Sequence, residues 1–66
     1  MTLKTGDRVR WNSHGGHAEG KVVRVAHEDG EVGGFEYRAS RDDPRYIVEL
    51  DDGRLAAHTE SALKKV

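Results

Sequence analysis

The sequence predicts a small all-β domain, a strongly bent barrel of five short strands with one helical turn before the last. Three observations carry this. The apolar residues recur with period two rather than 3.6. Clusters of Gly, Asp and Ser break the chain into runs of about five residues, the usual strand length. The one stretch with helical character, "TESALKKV", is long enough for a single turn and a short final strand.

The totals agree with a small folded object. The chain has 66 residues, which is expected to be one domain over 1–66. A domain of this size buries only about 60% of the surface its unfolded chain exposes, so its core is thin. There is no cysteine, so neither a disulfide nor a thiolate metal site can staple it. Charged residues make up 35%, above the typical share of about 25%. With 11 Lys+Arg against 12 Asp+Glu, the signs are mixed. A sequence pI near 6.4 argues against strong non-specific nucleic-acid binding, for which a pI above roughly 9 is usual. No apolar run approaches the ~18 residues of a membrane span. The start, "MTLKTGDRVR", has no apolar signal region. The expectation is a cytoplasmic protein with no membrane contact.

In "DRVRWN", Val9 and Trp11 share one face and Arg8, Arg10 and Asn12 the other, as in a half-buried strand. "SHGGH" breaks it. "AEGKVVRVAHEDG" reads as a long strand, with Gly20 marking a bend or bulge. Val22, Val23 and Val25 cannot all face inward on a regular strand, which requires a bulge or burial on two sides. "HEDGEVGG" reads as a flexible turn region. In "FEYRA", Phe35, Tyr37 and Ala39 share a face and Glu36 and Arg38 oppose it. "RYIVELDDGRLAAH" is the clearest hairpin. Tyr46, Val48 and Leu50 alternate inward, and Asp52-Gly53 suits a two-residue turn with positive φ at both positions. Thr59 can cap a helical turn through Ala62. Leu63 then plugs the barrel and Val66 ends the last strand. Closing the sheet removes exposed edges.

"GDRVRWNSHGG", "EGKVVRV", "RASRDDPRYIVELDDGRLAAH" and "ALKKV" together resemble the Tudor domain of hypervirulence-associated proteins, over nearly the whole chain. "WNS", "ASRDDPRY" and "AAH…AL" are the most specific pieces. The resemblance implies an SH3-like, Tudor-type barrel. It also implies, as a fold-level analogy, a module that binds peptides or nucleic acid.

"RASRDDPRY" is the most unusual stretch. Ser40, Arg41, Asp42 and Asp43 form an S-x-x-D string in which Ser40 can cap backbone amides. Both carboxylates can accept nearby N–H groups. Pro44 forces Asp43 into an extended shape. Arg38, Arg41 and Arg45 can offset the acid pair. These residue types are accounted for by a self-satisfied turn, in which case Asp43→Ala destabilises the fold. The functional reading is a polar patch for a basic or amide-bearing ligand, formed by Tyr37, Arg38, Ser40, Arg41, Asp42, Asp43 and Arg45.

A methyl-lysine cage needs several rings around one cation. The chain has four rings, and parity assigns Trp11 and Tyr46 to the core. Phe35 and Tyr37 remain, on an expected rim strand, half exposed, enough for a two-ring peptide groove. Arg8, Arg10, Arg24 and Arg38 oppose the apolar parity of their strands. They could line up on phosphates, although Glu36 and Glu49 would interrupt the stripe; a solvated mixed-charge surface explains the same pattern.

Of the histidines His14, His17, His27 and His58, "HGGH" supplies two at i and i+3. A stable zinc site wants three or four ligands, so no metal is expected. His58, ending a strand, more often satisfies a backbone group. No nucleophile elbow or phosphate-cradling glycine loop is present, so no catalytic residues and no cofactor are expected.

The reading is a non-catalytic interaction module that recognises a protein segment. The alternative is a weak nucleic-acid-binding domain using Arg8, Arg10, Arg24 and Arg38. A monomer or weak homo-oligomer is expected, with strand edges at "RLAAH" or "LKKV" available for self-association.

Overall fold

The computed structural model describes residues 3–13 and 15–66, with Phe35 described by its backbone alone. Seven strands follow in order: β1 (Arg8–Ser13), β2 (Gly16–Ala26), β3 (Gly30–Val32), β4 (Phe35–Tyr37), β5 (Arg45–Leu50), β6 (Leu55–His58) and β7 (Lys64–Lys65). A 3₁₀ turn, Glu60–Ala62, precedes β7. Five strands form one antiparallel sheet in the order β6-β5-β2-β1-β7, and β3 and β4 form a separate hairpin. The main sheet has five strands, the number expected, and the turn before the last strand is present, but the expected strand "FEYRA" lies in the separate hairpin. The expected closure is absent, because among the described residues no ladder joins β6 to β7.

Strand β2 is long because it serves both halves of the sheet. Its first part pairs with β1, from Ser13↔Gly16 to Arg8↔Lys21. Its second part pairs with β5, from Gly20↔Leu50 to Ala26↔Arg45. Between Val22↔Val48 and Arg24↔Ile47, β2 advances two residues while β5 advances one. Val23 is the extra residue, and such a bulge increases the local twist. This resolves the three-valine conflict: Val22 is fully buried, Val25 half-buried and Val23 exposed.

The bulge is at Val23 rather than at Gly20. Gly20 serves another purpose. A Cβ there would collide with the Glu49 carbonyl and lie 3.2 Å from Trp11 Cη2. Only a residue without a side chain lets β5 and the indole approach this closely.

Residues opposite each other in an antiparallel ladder share a face, and neighbours alternate. The inner face carries Val9, Trp11, Val22, Tyr46 and Val48, closed off by Leu3 and Leu63; Ala18, Val25, Leu50 and Ala56 pack at its margin. Leu63 thus plugs the core as expected. Val66 lies beyond β7 and is exposed, although its amide donates to the Arg8 carbonyl at 2.9 Å.

Part of the outer face is buried as well. Ile47, Ala26, Val32 and Tyr37 form a second cluster there, with Ala39, Leu55 and Ala57 against it. Strand β5 is therefore buried on both faces, and Tyr46, Ile47 and Val48 are all core. The cover is the β3–β4 hairpin; β4 lies in the expected strand "FEYRA", whereas β3 falls in the stretch expected to be a flexible turn. Val32↔Phe35 closes it around Gly33 and Gly34, whose φ values of 59° and 87° fit a two-residue hairpin turn.

The β5–β6 turn also departs from expectation. Gly53 N–H donates to the Leu50 carbonyl at 2.9 Å, and Leu50 N–H to the Arg54 carbonyl at 2.8 Å. Only Gly53 has positive φ, at 90°. The loop is thus the three-residue Asp51-Asp52-Gly53, a tight turn followed by a left-handed glycine. Arg54 N–H donates to Asp52 Oδ1 at 3.0 Å, and this bond holds the Asp52 carboxyl below its ordinary range.

At the 3₁₀ turn, Thr59 does not cap an amide. Its hydroxyl pairs with Ser61 Oγ at 3.2 Å, and the Ala62 amide donates to the Thr59 carbonyl instead. Asp7 is a buried carboxylate the sequence reading passed over. It accepts the Lys4 amide at 2.9 Å and lies 3.6 Å from Lys65 Nζ, tying the entry turn to β7.

Candidate functional site

The second core positions the candidate site. Gly30 stands opposite Tyr37 across the hairpin, and a Cβ there would sit 2.6 Å from the phenol oxygen. The glycine therefore makes room for the Tyr37 ring to lie back over β3. Arg24 Nη2 donates to that phenol oxygen at 3.1 Å, joining the sheet to the hairpin. Tyr37 is buried, 9% exposed, and is not the half-exposed rim residue expected. The Phe35 side chain, the second ring of the expected groove, lies outside the described residues.

Above Tyr37 is an open groove of about 520 Å³ lined by Asp29, Gly30, Glu31, Glu36, Tyr37 and Arg38. Its lining carries three acidic residues, Asp29, Glu31 and Glu36, and one basic residue, Arg38. Asp29 also accepts the Ala39 amide at 2.8 Å, which fixes the chain where it leaves β4. Glu31 and Glu36 are direct cross-strand neighbours, both exposed. Like charges opposite one another are unfavourable, so this pair gains from a cation placed between them.

The "RASRDDPRY" residues divide into two groups. Tyr37 and Arg38 line the groove. Ser40, Arg41, Asp42 and Asp43 form the adjacent loop. Ser40 and Asp43 exchange backbone bonds, Ser40 N–H to Asp43 O at 3.1 Å and Asp43 N–H to Ser40 O at 3.3 Å. The Asp43 amide also reaches Ser40 Oγ at 3.1 Å. Arg45 Nη1 lies 2.9 Å from Asp43 Oδ1 and donates to the Asp43 carbonyl at 3.2 Å. The polar groups of Ser40, Asp43 and Arg45 are thus largely used within the loop. Arg38, Arg41 and Asp42 are exposed.

The ladder registers place Arg8, Arg10 and Arg24 on the outer face, with Lys21 opposite Arg8 and Lys64 opposite Arg10. They are not a row of free cations. Glu19 lies 3.4 Å from Arg8 Nε and 3.2 Å from Arg10 Nη2, and Arg8 also meets Asp51 at 3.4 Å. Arg24 is turned to Tyr37, and Arg38 belongs to the hairpin groove.

His58 packs against Trp11 with ring centroids 5.0 Å apart. Its Nε2 is buried without a hydrogen-bond partner, contrary to the expected backbone bond, and burial lowers its pKa below the ordinary 6.5. Tyr46 hydrogen-bonds Glu60 at 3.2 Å, and burial followed by the Glu60 charge raises its pKa. Of the "HGGH" pair, His17 is exposed and His14 lies outside the described residues. Among the described residues, no group of three His, Cys, Asp or Glu could hold a metal ion.

Sequence reasoning missed Asp29, Gly30, Glu31 and Glu36 as site residues. The signal was present: "EVGGFEY" alternates polar and apolar on either side of a Gly-Gly turn, which is a short-hairpin pattern.

An all-β scaffold with a shallow charged groove defines the class of small binding modules. The chain belongs to the family described as "Hypervirulence associated proteins TUDOR domain", whose model matches residues 6–63. No curated protein and no solved structure matches it. Among the described residues, no helix is long and apolar enough to cross a membrane.

Proposed function

We propose that this chain is a non-catalytic interaction module that takes an extended, basic protein segment in the groove of the β3–β4 hairpin. The observation that carries this is the groove itself, whose lining holds three acidic residues, Asp29, Glu31 and Glu36, against one basic residue, Arg38. An open, polar groove suits a solvated chain better than a small molecule, which needs most of its surface enclosed. The Arg38 side chain can meet a backbone carbonyl or a carboxylate of the segment, and the neighbouring Arg41 and Asp42 extend the polar surface. In this reading Ser40, Asp43 and Arg45 hold the loop in shape beside the groove. The scaffold is taken as a single SH3-like, Tudor-type barrel domain open between β6 and β7. A cysteine-free chain suits the reducing cytoplasm.

The shared outer face of Arg8, Arg10, Lys21 and Lys64 is the observation behind a second reading, weak binding of nucleic-acid phosphates. Glu19 and Asp51 already neutralise part of that face, which places this reading second.

An amide-shift titration of the labelled protein separates the two. A short lysine- and arginine-rich peptide is expected to shift Gly30, Glu31, Glu36 and Arg38, and an acidic peptide of equal length is not. Glu31→Lys with Glu36→Lys is expected to abolish the shifts while the fold is kept. Silence with the basic peptide, together with salt-sensitive shifts on Arg8 and Arg10 on adding a DNA duplex, would reverse the order of the two readings.

A further inference from the structure

The two edges of the five-stranded sheet are treated differently. Edge strand β7 is Lys64–Lys65, two exposed cations that discourage pairing with another chain. Edge strand β6 is Leu55-Ala56-Ala57-His58, with no lysine, no proline and no carboxylate. In a chain that is 35% charged, an edge without Asp, Glu, Lys or Arg is a marked exception.

The backbone of β6 supplies the second observation. Leu50 and Arg54 form the hydrogen-bonded pair that closes the β5–β6 ladder. Bonded and non-bonded pairs alternate in an antiparallel ladder. Val48↔Ala56 and Tyr46↔His58 are then the next bonded pairs, so the N–H and C=O groups of Leu55 and Ala57 point away from β5. Among the described residues, neither has a partner on that side. The hairpin packs against the outer face of β6 without pairing with its edge. An unpaired strand edge is a template for one more strand.

We propose that β6 is a dimerisation strand on which a second copy of this chain pairs antiparallel, about a two-fold axis through Ala57. Ala57 then faces Ala57 of the second copy, and Leu55 faces Thr59 of the second copy. The outward-pointing groups meet in bonded register. The small side chains of Ala56 and Ala57 present no bulk on either face at the ordinary strand spacing of about 4.8 Å. The flanking charges select this register. Arg54, 75% exposed and held by Asp52 at 2.7 Å, comes opposite Glu60 of the second copy, and symmetry repeats the pair. A shift of the axis to Ala56 would set Arg54 opposite His58 and lose both pairs. Self-pairing of one strand closes the assembly at two chains. The inference does not depend on what the hairpin groove binds.

Sedimentation of the 66-residue chain over a concentration series tests it. A monomer–dimer equilibrium is expected. Ala57→Pro removes an N–H that β5 does not use, twice per dimer, and is expected to weaken association by about tenfold or more. Arg54→Glu and Glu60→Arg each set like charges opposite one another and are expected to weaken it several-fold. The double variant restores attraction and is expected to recover the dimer. If Ala57→Pro does not fold, the charge exchange decides alone. A chain that stays monomeric to concentrations on the order of 1 mM overturns the proposal. So does a dimer indifferent to the charge exchange, or a monomer whose β6 edge instead takes up an unrelated extended peptide.

Discussion

At residue scale, the loop Ser40–Asp43 shows how similar polar side chains can differ in structural weight. The turn is closed by backbone bonds between Ser40 and Asp43, with Ser40 Oγ as an added acceptor. The Asp43 carboxylate only reaches outward to Arg45 and is 67% exposed. Exposed ion pairs contribute about 0–1 kcal/mol, whereas losing a capping hydroxyl typically costs about 1 kcal/mol. Ser40→Ala is therefore expected to cost about 1 kcal/mol in urea denaturation, and Asp43→Ala less. A larger loss at Asp43 than at Ser40 would show that the carboxylate, not the backbone exchange, holds the loop. The residue types of this turn were legible in "SRDD"; which atoms close it was not, because capping depends on distances of a few tenths of an ångström.

At element scale, the hairpin β3–β4 turns an ordinary half-buried strand into a strand buried on both sides. Ile47 is 2% exposed only because Val32 and Tyr37 cover it. Removing a buried aliphatic side chain to Ala costs roughly 2–5 kcal/mol where the site cannot collapse. Ile47→Ala is expected to fall in this range and to match Val48→Ala, its neighbour on the opposite face, in chemical denaturation. An Ile47 effect below about 1 kcal/mol would mean that the hairpin lies on the sheet without packing against it. Period two located β1 and β5, where Val9 and Trp11, and Tyr46 and Val48, alternate toward the inner core, while β2 and β6 were located by the glycine and Asp-Gly turns that bound them. It did not reveal β3, since three residues between glycines carry too little pattern to register.

At the scale of the whole molecule, His58 makes stability depend on pH. Burial lowers its folded-state pKa below the unfolded value of about 6.5, so the unfolded chain binds the proton more readily. The stability contribution is fully present above pH 6.5 and is lost as pH falls through the folded pKa. Melting temperature is thus expected to fall on acidification from neutrality through the weakly acidic range. His58→Gln, which cannot take up a proton there, is expected to flatten that part of the curve. A decline that persists unchanged in His58→Gln between about pH 6.5 and 5 would assign it to another group.

The sequence by itself determined that this protein is all-β, which residues of β1 and β5 face the inner core, that Val22, Val23 and Val25 cannot all face inward on a regular strand, and that Leu63 plugs the core after a single turn. Each follows from local periodicity and turn chemistry, which act over a few residues. Only the tertiary structure decided that Ile47 and Tyr37 are core and that Arg8 and Arg10 share Glu19. It alone gathered Asp29, Glu31 and Glu36 around one groove and left the sheet open at β6. Those facts depend on which distant segments meet, and contacts between distant segments leave no repeating pattern along the chain.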